Sequence, residues 1–324
     1  MITHENDAHG KHMIDLLRQM GENVHELDYS KFPTETEISF GINISASELD
    51  IILPDGEKVS SNSIKSVLNR RMAEPKPSAR LKDKSIRNYV VSESQALLDA
   101  LPQMLRTFWF GNPDAIRIAD RKPYQLMMAS QLGFVIPTTA VTNSSSTAGE
   151  FAKGCKSDVA FKPIRAAGIV VERDGVEKGL SLYTKRLSTA EFVARLLSVK
   201  NCPLILQSYI EKDFELRITV VGKKVFACAI HSQASNRTKE DWRRYDLPNT
   251  PHLPYSLPPD IQEKCIQLVE RLGLSFGCID MIVSPSGEHV FLEINPNGQW
   301  LWIEHLTKMP ISQAIADLLA SPPV

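Results

Sequence analysis

The sequence has few cysteines and no long apolar run, and both absences exclude classes of protein. The five cysteines are an odd number without CxxC spacing, which excludes a zinc knuckle and indicates reduced thiols, without disulfides, in a cytoplasmic protein. No stretch of about 18 apolar residues occurs, and no basic leader precedes an apolar core. We therefore predict neither a membrane span nor a signal peptide.

The chain also has almost no net charge. Lys and Arg number 37 against 38 Asp and Glu, so the net charge of −1 excludes a non-specific binder of nucleic acid or of anionic membranes. Hydrophobic residues make up 43% and charged residues 23%, which is typical of a globular protein and excludes extensive disorder. A chain of 324 residues corresponds to about two domains of ~150 residues.

Helical and strand patterns alternate in the first half of the chain, which predicts an α/β opening. Apolar spacing predicts helices over Lys11–Gly21, Asp83–Phe110 and Lys122–Leu132, with Gly133 ending the last. Weak strands are predicted at Asn23–Asp28, Glu37–Ile44, Glu48–Leu53 and Ser66–Met72. A proline-containing loop is predicted at Met72–Arg80, and Ser144–Thr147 reads as a polar loop or a helix N-cap.

Strands dominate after residue 158, which makes the whole an α/β (α+β) protein. They are predicted at Val159–Ile164, Ile169–Glu172, Leu182–Tyr183, Leu204–Ile210, Glu215–Val221 and Lys224–Ile230. Helices are predicted at Thr189–Val199, from Asp260 to Gly273 with a capping box completed by Glu263, and at Ser312–Leu319.

Two runs near the C-terminus, Phe276–Ser284 and His289–Asn295, predict a hairpin whose turn centres on Ser286-Gly287. That centre pairs Ile279 with Ile294, Met281 with Leu292 and Val283 with Val290 on an apolar face. It also places Asp280 directly across from Glu293 on the other face, with Asn295 two residues further along.

Two directly opposed carboxylates repel each other at ~5 Å, so they need compensation. A hard divalent cation such as Mg²⁺ would be bound by Asp280, Glu293 and the amide oxygen of Asn295. A lysine paired with the carboxylates, or side chains splayed into solvent, would satisfy the geometry equally well.

Two cations lie where phosphate ligands would be needed. Lys162 interrupts an apolar strand, and either points at a ligand or lies on an exposed edge strand. Arg217 shares the polar face of its strand with Glu215, and either clamps a phosphate or pairs with that glutamate.

These residues together resemble the ATP-grasp ligases, in which an aspartate on one strand and Glu-x-Asn on the next bind magnesium. The resemblance implies Asp280, Glu293 and Asn295 as metal ligands, and Lys122 and Lys162 as the lysines that reach the phosphates of ATP. It implies Gln207, Ser208, Tyr209 and Ile210 as the adenine-binding hinge, and Glu215 as the ribose-binding acid. Arg217 corresponds to an arginine at the γ-phosphate and acyl site, so Arg217 and Lys162 are the expected catalytic cations.

More narrowly, the chain resembles the microviridin-type peptide macrocyclases, or graspetide synthetases, over nearly its whole length. The matching segments are Asp28–Pro33, Arg70–Met72, Gln131–Pro137, Glu215–Arg217, Asp241–Arg243 and Pro310–Ala316. This resemblance implies an ATP-grasp fold with a pre-ATP-grasp α/β domain over 1–112, a central subdomain with the lid over 113–203, and a C-terminal subdomain with the magnesium site over 204–324. A homodimer is also implied.

The implied reaction activates Glu or Asp side chains of a ribosomal precursor peptide as acyl phosphates. These are then joined to Ser or Thr hydroxyls or Lys amines, which forms macrocyclic esters or amides, and a lid around Arg165–Gly168 would exclude water. Asp241 and Arg243 either contact the nucleotide or substrate, or belong to a loop anchored by Trp242. Trp300 and Trp302 either line the acceptor side or pack in the core, and Arg70-Arg71 is given a structural or interface role.

Two other functions use the same residues. An ATP-grasp amino-acid ligase, similar to glutathione synthetase or the ribosomal-protein glutamate ligases, would add mass to its acceptor, whereas cyclisation removes water. A non-catalytic nucleotide-binding peptide carrier would have no need for the opposed carboxylates.

Overall fold

The structure is a computed structural model that describes residues 1–42, 49–165, 168–173, 176–181, 184–239, 242 and 246–323. The predicted strand Leu182–Tyr183 lies outside these residues, as do Asp241 and Arg243. Within the described ranges, no helix combines the length and the apolar character needed to cross a bilayer.

The chain opens with a small parallel arrangement. Ile2 bridges both Leu27 and Asn69 in parallel, and helix α1 (Ala8–Gln19) lies between Ile2 and Leu27 in the sequence. This helix begins three residues before the predicted Lys11 because the carboxylate of Asp7 accepts the N–H of His9 and caps it. The predicted strand Asn23–Asp28 is wrong beyond the single bridge at Leu27.

An antiparallel three-stranded sheet follows, built from β1 (Glu37–Phe40), β2 (Leu49–Ile52) and β3 (Lys58–Ser60). Next come β4 (Ser66–Leu68), helix α2 (Lys84–Met104) and β5 (Phe108–Phe110), and β5 pairs with β4 in parallel. The helix predicted over Asp83–Phe110 is therefore too long. Its end is a strand because the aromatic residues 108–110 favour extended backbone and bury Trp109 in the core beside α2.

Two short helices, α3 (Pro113–Ala119) and α4 (Lys122–Gln131), lead into a second, four-stranded antiparallel sheet. Its strands are β6 (Thr139–Thr142), β7 (Val159–Lys162), β10 (Lys185–Leu187) and β11 (Leu204–Ser208), in the order β10-β7-β11-β6. Helices α5 (Ser145–Gly154) and α6 (Thr189–Val193) cover one face. The hairpin of β8 (Gly168–Arg173) and β9 (Val176–Ser181) forms a separate two-stranded sheet.

The third sheet has five antiparallel strands in the order β14-β13-β12-β15-β16. They are β12 (Phe214–Val221), β13 (Lys224–Ile230), β14 (His252–Tyr255), β15 (Phe276–Val283) and β16 (His289–Asn295). One face packs on α3, α4 and α7 (Pro259–Arg271), and the other on α1, α8 (Leu301–Thr307) and α9 (Ile311–Ala320). The sheet is thus buried on both faces.

Two details of the predicted helices are wrong. The capping box of Asp260 and Glu263 does not form, because α7 begins at Pro259 and its N-cap, Pro258, has no side chain that could accept a hydrogen bond. The helix predicted over Thr189–Val199 is broken into α6 and a 3₁₀ turn over Leu196–Asn201. The N-cap alternative for Ser144 is confirmed, since its hydroxyl accepts the N–H of Thr147.

The predicted hairpin register holds at one end and fails at the other. Asp280 pairs with Glu293 and Ile279 with Ile294, as predicted. Between Asp280 and Met281 the register shifts, so that Met281 pairs with Phe291 and Val283 with His289, and not with Leu292 and Val290. This β-bulge brings the Phe291 ring into the core against Phe134, with 5.4 Å between the ring centroids.

Candidate active site

A cavity of about 1050 Å³ lies between the four-stranded and five-stranded sheets. It brings together ten of the predicted site residues: Lys122, Lys162, Gln207, Ser208, Tyr209, Ile210, Glu215, Asp280, Glu293 and Asn295. Lys162 lies on β7, which is flanked by β10 and β11, so the edge-strand alternative for this lysine is wrong. Arg217 lies behind the cavity wall, buried against Asp280.

Arg217 and Asp280 form a buried ion pair across neighbouring strands. Arg217 on β12 pairs in register with Asp280 on β15, and its Nη1 donates to both carboxylate oxygens at 2.9 and 3.0 Å. Burial by itself lowers the pKa of Arg217, but the adjacent Asp280 carboxylate raises it above the ordinary value, with a smaller contribution from Glu293. Arg217 is therefore a fixed positive charge.

The second carboxylate has its own cation. Glu293 on β16 lies 2.9 Å from Nζ of Lys122, the first residue of α4. The predicted alternative of a lysine paired with the carboxylates therefore holds for Glu293, whereas Asp280 pairs with an arginine. Because the Lys122 ammonium also faces the cavity, it can contact an anionic ligand without leaving Glu293.

The strand that carries Glu293 and Asn295 is fixed by a glutamine of α4. The Gln125 amide accepts the N–H of Ile294 at 3.2 Å and donates to its carbonyl at 2.8 Å. Asn295, one residue further, donates from Nδ2 to Asp280 at 3.0 Å. The side chains on either side of Ile294 are therefore held at the cavity wall.

The donor set fits a hard divalent cation. Asp280 and Glu293 supply carboxylate oxygens from paired positions, and Asn295, two residues beyond Glu293, supplies an amide oxygen at the same cavity. No group of three His, Cys, Asp or Glu that could hold a metal occurs in the described part of the chain. Two carboxylates and an amide leave coordination positions for water and for substrate oxygens, which is the usual arrangement for Mg²⁺.

The predicted hinge consists of the last two residues of β11 and the two residues that follow, and all four line the cavity. Ser208 donates its N–H to the carbonyl of Thr138 at 2.9 Å, and its hydroxyl accepts the N–H of Thr138 at 3.1 Å. The Tyr209 ring stacks under the guanidinium of Arg186, 4.1 Å from the ring centroid, and Arg186 bonds Asp158 at 2.6 Å. These hydrogen bonds and the stacked guanidinium hold Ser208 and Tyr209 at the cavity wall.

Sequence reasoning missed several residues that line the cavity. Lys212 forms a short buried ion pair with Glu215, and its spacing of three residues is the only signal that could have indicated it. Asp120 also lines the wall. Burial raises the pKa of Asp120, although the nearby Arg165 and Lys122 act in the opposite direction. Arg165, which the resemblance places in the lid, lines the same wall, and residues 166–167 lie outside the described chain.

The two C-terminal tryptophans have different places. Trp300 is 1% exposed and donates its indole N–H to Ser312 at 3.0 Å, so the core alternative is correct for it. Trp302 stacks on Trp242 with 5.1 Å between the ring centroids, and Trp242 lines the cavity. Trp302 therefore supports the wall of the cavity without lining it.

A family described as the MvdD pre-ATP grasp domain matches residues 1–117. A search of curated proteins found no match.

Among solved structures, the chain is similar to a RiPP-associated ATP-grasp ligase of Chryseobacterium gregarium in complex with ADP and a leader and core peptide. The identity is 31% over 100% of this chain and 96% of the other, with a TM-score of 0.88. The macrocyclase MdnC of Microcystis aeruginosa MRC, bound with the precursor peptide MdnA, is 28% identical over 98% of each chain, with a TM-score of 0.82. The macrocyclase MdnB of the same organism is 30% identical over 99% of this chain and 98% of the other, with a TM-score of 0.76.

Proposed function

The chain belongs to the ATP-grasp ligases that act in the biosynthesis of ribosomally made peptides, and on this premise we propose that it is a macrocyclase of precursor peptides. It is an ATP-dependent carboxylate ligase that activates Glu or Asp side chains and joins them to Ser or Thr hydroxyls or Lys amines. The observation that carries the proposal is the meeting of Asp280 and Glu293 with Lys122 and Lys162 at one cavity.

ATP and Mg²⁺ are the cofactors. Asp280, Glu293 and Asn295 would hold the metal, which when bound neutralises charge on the phosphate oxygens. Lys122 and Lys162 would bind the phosphates as point charges, and Glu215 would accept hydrogen bonds from the ribose hydroxyls. The hinge Gln207–Ile210 would bind the adenine. Asp241 and Arg243 stay predicted nucleotide or substrate contacts.

The reaction has two steps, and the protein contributes mainly position and charge to both. An oxygen of the substrate carboxylate attacks the γ-phosphorus of ATP and forms an acyl phosphate. The bond between the γ-phosphorus and the oxygen that bridges it to the β-phosphorus breaks, and ADP is released. A hydroxyl or amine then attacks the acyl carbon, loses its proton and displaces inorganic phosphate. Lys162 would stabilise the transferring phosphoryl group. Arg217, predicted to act at the γ-phosphate, would act there through the Asp280 carboxylate to which it is bound.

The partner is a precursor peptide with leader and core segments, as in the similar ligase of Chryseobacterium gregarium. We further propose a homodimer, action in the cytoplasm, and domain boundaries near residues 112 and 203. The homodimer and the domain boundaries rest on the family resemblance, and the cytoplasmic location rests on the free cysteines.

The intact mass of a precursor peptide encoded beside this gene tests the function. Incubation with the protein, ATP and Mg²⁺ should remove one or more water masses from the peptide, and Glu293→Ala should abolish the change. A gain of mass on an acceptor in the presence of free amino acids would instead support an amino-acid ligase. ATP turnover absent under every condition would support a non-catalytic carrier.

A further inference from the structure

Arg70 is a buried arginine of the N-terminal region that the reaction above does not use. It follows β4, is 2% exposed, and its Nε lies 3.9 Å from the Asp7 carboxylate. Its guanidinium carbon lies 5.1 Å from the centroid of the Trp300 ring. An arginine this deeply buried needs a structural reason for its position, because desolvating a charge is costly.

The reason is a reciprocal contact with the loop that follows β16, the strand that carries the proposed metal ligands Glu293 and Asn295. Nη1 of Arg70 donates to both the backbone carbonyl and the side-chain oxygen of Asn297, at 3.1 and 2.5 Å. In return, Nδ2 of Asn297 donates to the backbone carbonyl of Arg70 at 2.7 Å. Three hydrogen bonds thus tie residue 70 to residue 297 across the boundary between the N-terminal region and the five-stranded sheet.

The next residue of the loop is packed against the site. A Cβ added at Gly298 would lie 2.6 Å from Cβ and Sγ of Cys278 and 2.8 Å from Nη2 of Arg217. The backbone of Gly298 also donates to the carbonyl of Asn295 at 3.2 Å. A shift of this loop would therefore displace Arg217 and Asn295. Because both side chains donate hydrogen bonds to Asp280, its carboxylate would move as well.

We propose that Arg70 and Asn297 are positioning residues, which hold the loop 296–299 from the N-terminal side so that Gly298 keeps Arg217 and Asn295 in place around Asp280. The inference rests on the proposed function, because it assigns these contacts to the phosphate-transfer end of that site. Neither residue touches the cavity, and both act through the loop.

Three single substitutions test the proposal in the full-length enzyme with ATP, Mg²⁺ and precursor peptide. Asn297→Ala removes the two bonds that its side chain makes, and Arg70→Met removes the two that its guanidinium makes. Arg71→Met removes the neighbouring exposed arginine as a matched control. We expect kcat for ADP release to fall about 10- to 100-fold in the first two, as for other residues that orient metal ligands. The KM for ATP should stay within about twofold, because the nucleotide hinge is not disturbed.

Arg70→Met removes a buried charge and could unfold the chain, so its melting temperature is measured alongside. Asn297 is exposed at the surface, and Asn297→Ala is expected to fold. Unchanged kcat in Asn297→Ala, or equal losses in kcat and in affinity for ATP, would overturn the proposal. Loss of activity in Arg71→Met to the same extent would overturn it as well.

A second readout separates this proposal from the proposed function. Binding of Mn²⁺ in the presence of ADP, followed by the electron paramagnetic resonance signal of free Mn²⁺, needs no peptide. About tenfold weaker binding in Asn297→Ala than in Arg71→Met would support the positioning role even if wild-type enzyme left every peptide unchanged. Equal Mn²⁺ affinities would count against it whatever the fate of the peptide.

Discussion

Arg217 and Asp280 occupy paired positions on β12 and β15, and one guanidinium nitrogen donates to both oxygens of the carboxylate at 2.9 and 3.0 Å. Both side chains are at most 10% exposed. Either charge, left alone there, would be desolvated without compensation. The intact pair is therefore important for the stability of the sheet as well as for the site. Glu293 lies nearer to solvent, so its ion pair contributes less to stability.

Glu293→Gln is expected to abolish ADP formation while the protein stays folded. The substitution keeps the shape of the side chain but removes one of two carboxylates at the metal site, and loss of several kcal/mol of charge stabilisation lowers the rate by about 100-fold or more. Lys122 loses an ion pair that is partly exposed, so the melting temperature should change little. Full activity of this variant would exclude Glu293 as a metal ligand.

Arg217→Met is expected to lower stability by about 3–5 kcal/mol, since it leaves the Asp280 carboxylate buried and unpaired. The double variant Arg217→Met with Asp280→Leu removes both charges and should recover most of the stability without recovering activity. Urea unfolding and ADP release measure the two properties separately. A double variant no more stable than Arg217→Met would show that the pair is not the cause of the loss.

Removal of divalent cations should stop the mass change of the peptide without unfolding the protein. Asp280 and Glu293 each have a cationic partner in addition to the metal, so the fold does not depend on the metal to offset their charge. Activity after treatment with a chelator should return with Mg²⁺ and not with Na⁺ at equal ionic strength. Turnover that persists in excess chelator would contradict the metal assignment.

Stability should fall as the pH is lowered from about 6.5 toward 4, in part because of His9. Burial, helped by the nearby Arg70 and opposed by Asp7, lowers the pKa of His9 from 6.5 to about 4. The unfolded chain therefore binds a proton at this residue over a range where the folded chain does not, and acid favours unfolding there. His9→Gln should show a shallower decrease of the urea midpoint between pH 6.5 and 4, and an unchanged slope would exclude this residue.

The site could be predicted from the sequence where local pattern determines it. Asp280 and Glu293 lie on neighbouring strands joined by a short turn, so the register of the hairpin was enough to place them opposite each other. The same turn did not predict the bulge at the far end, because the shift is set by packing of Phe291 against Phe134. That contact involves a residue more than 150 positions away in sequence.

The remaining residues depend on contacts between distant elements. Lys122 begins a helix, and nothing in its own segment indicates that Glu293 lies 2.9 Å away. The role of Arg70 likewise comes from Asn297, 227 residues further along the chain. The strand β5 is not predicted because the helical pattern of α2 runs up to it, and tertiary packing decides where the helix ends.

The hydrogen bonds between Gln125 and the backbone of Ile294 also affect whether copies of the protein can associate through their strand edges. β16 is the outer strand of its sheet, and an open strand edge can template pairing with another chain and lead to aggregation. The glutamine amide satisfies both backbone groups of Ile294 as a neighbouring strand would, and Val135 accepts the N–H of Phe291 nearby. The side chain that fixes the metal-binding strand thus also protects this edge from β-sheet association between copies.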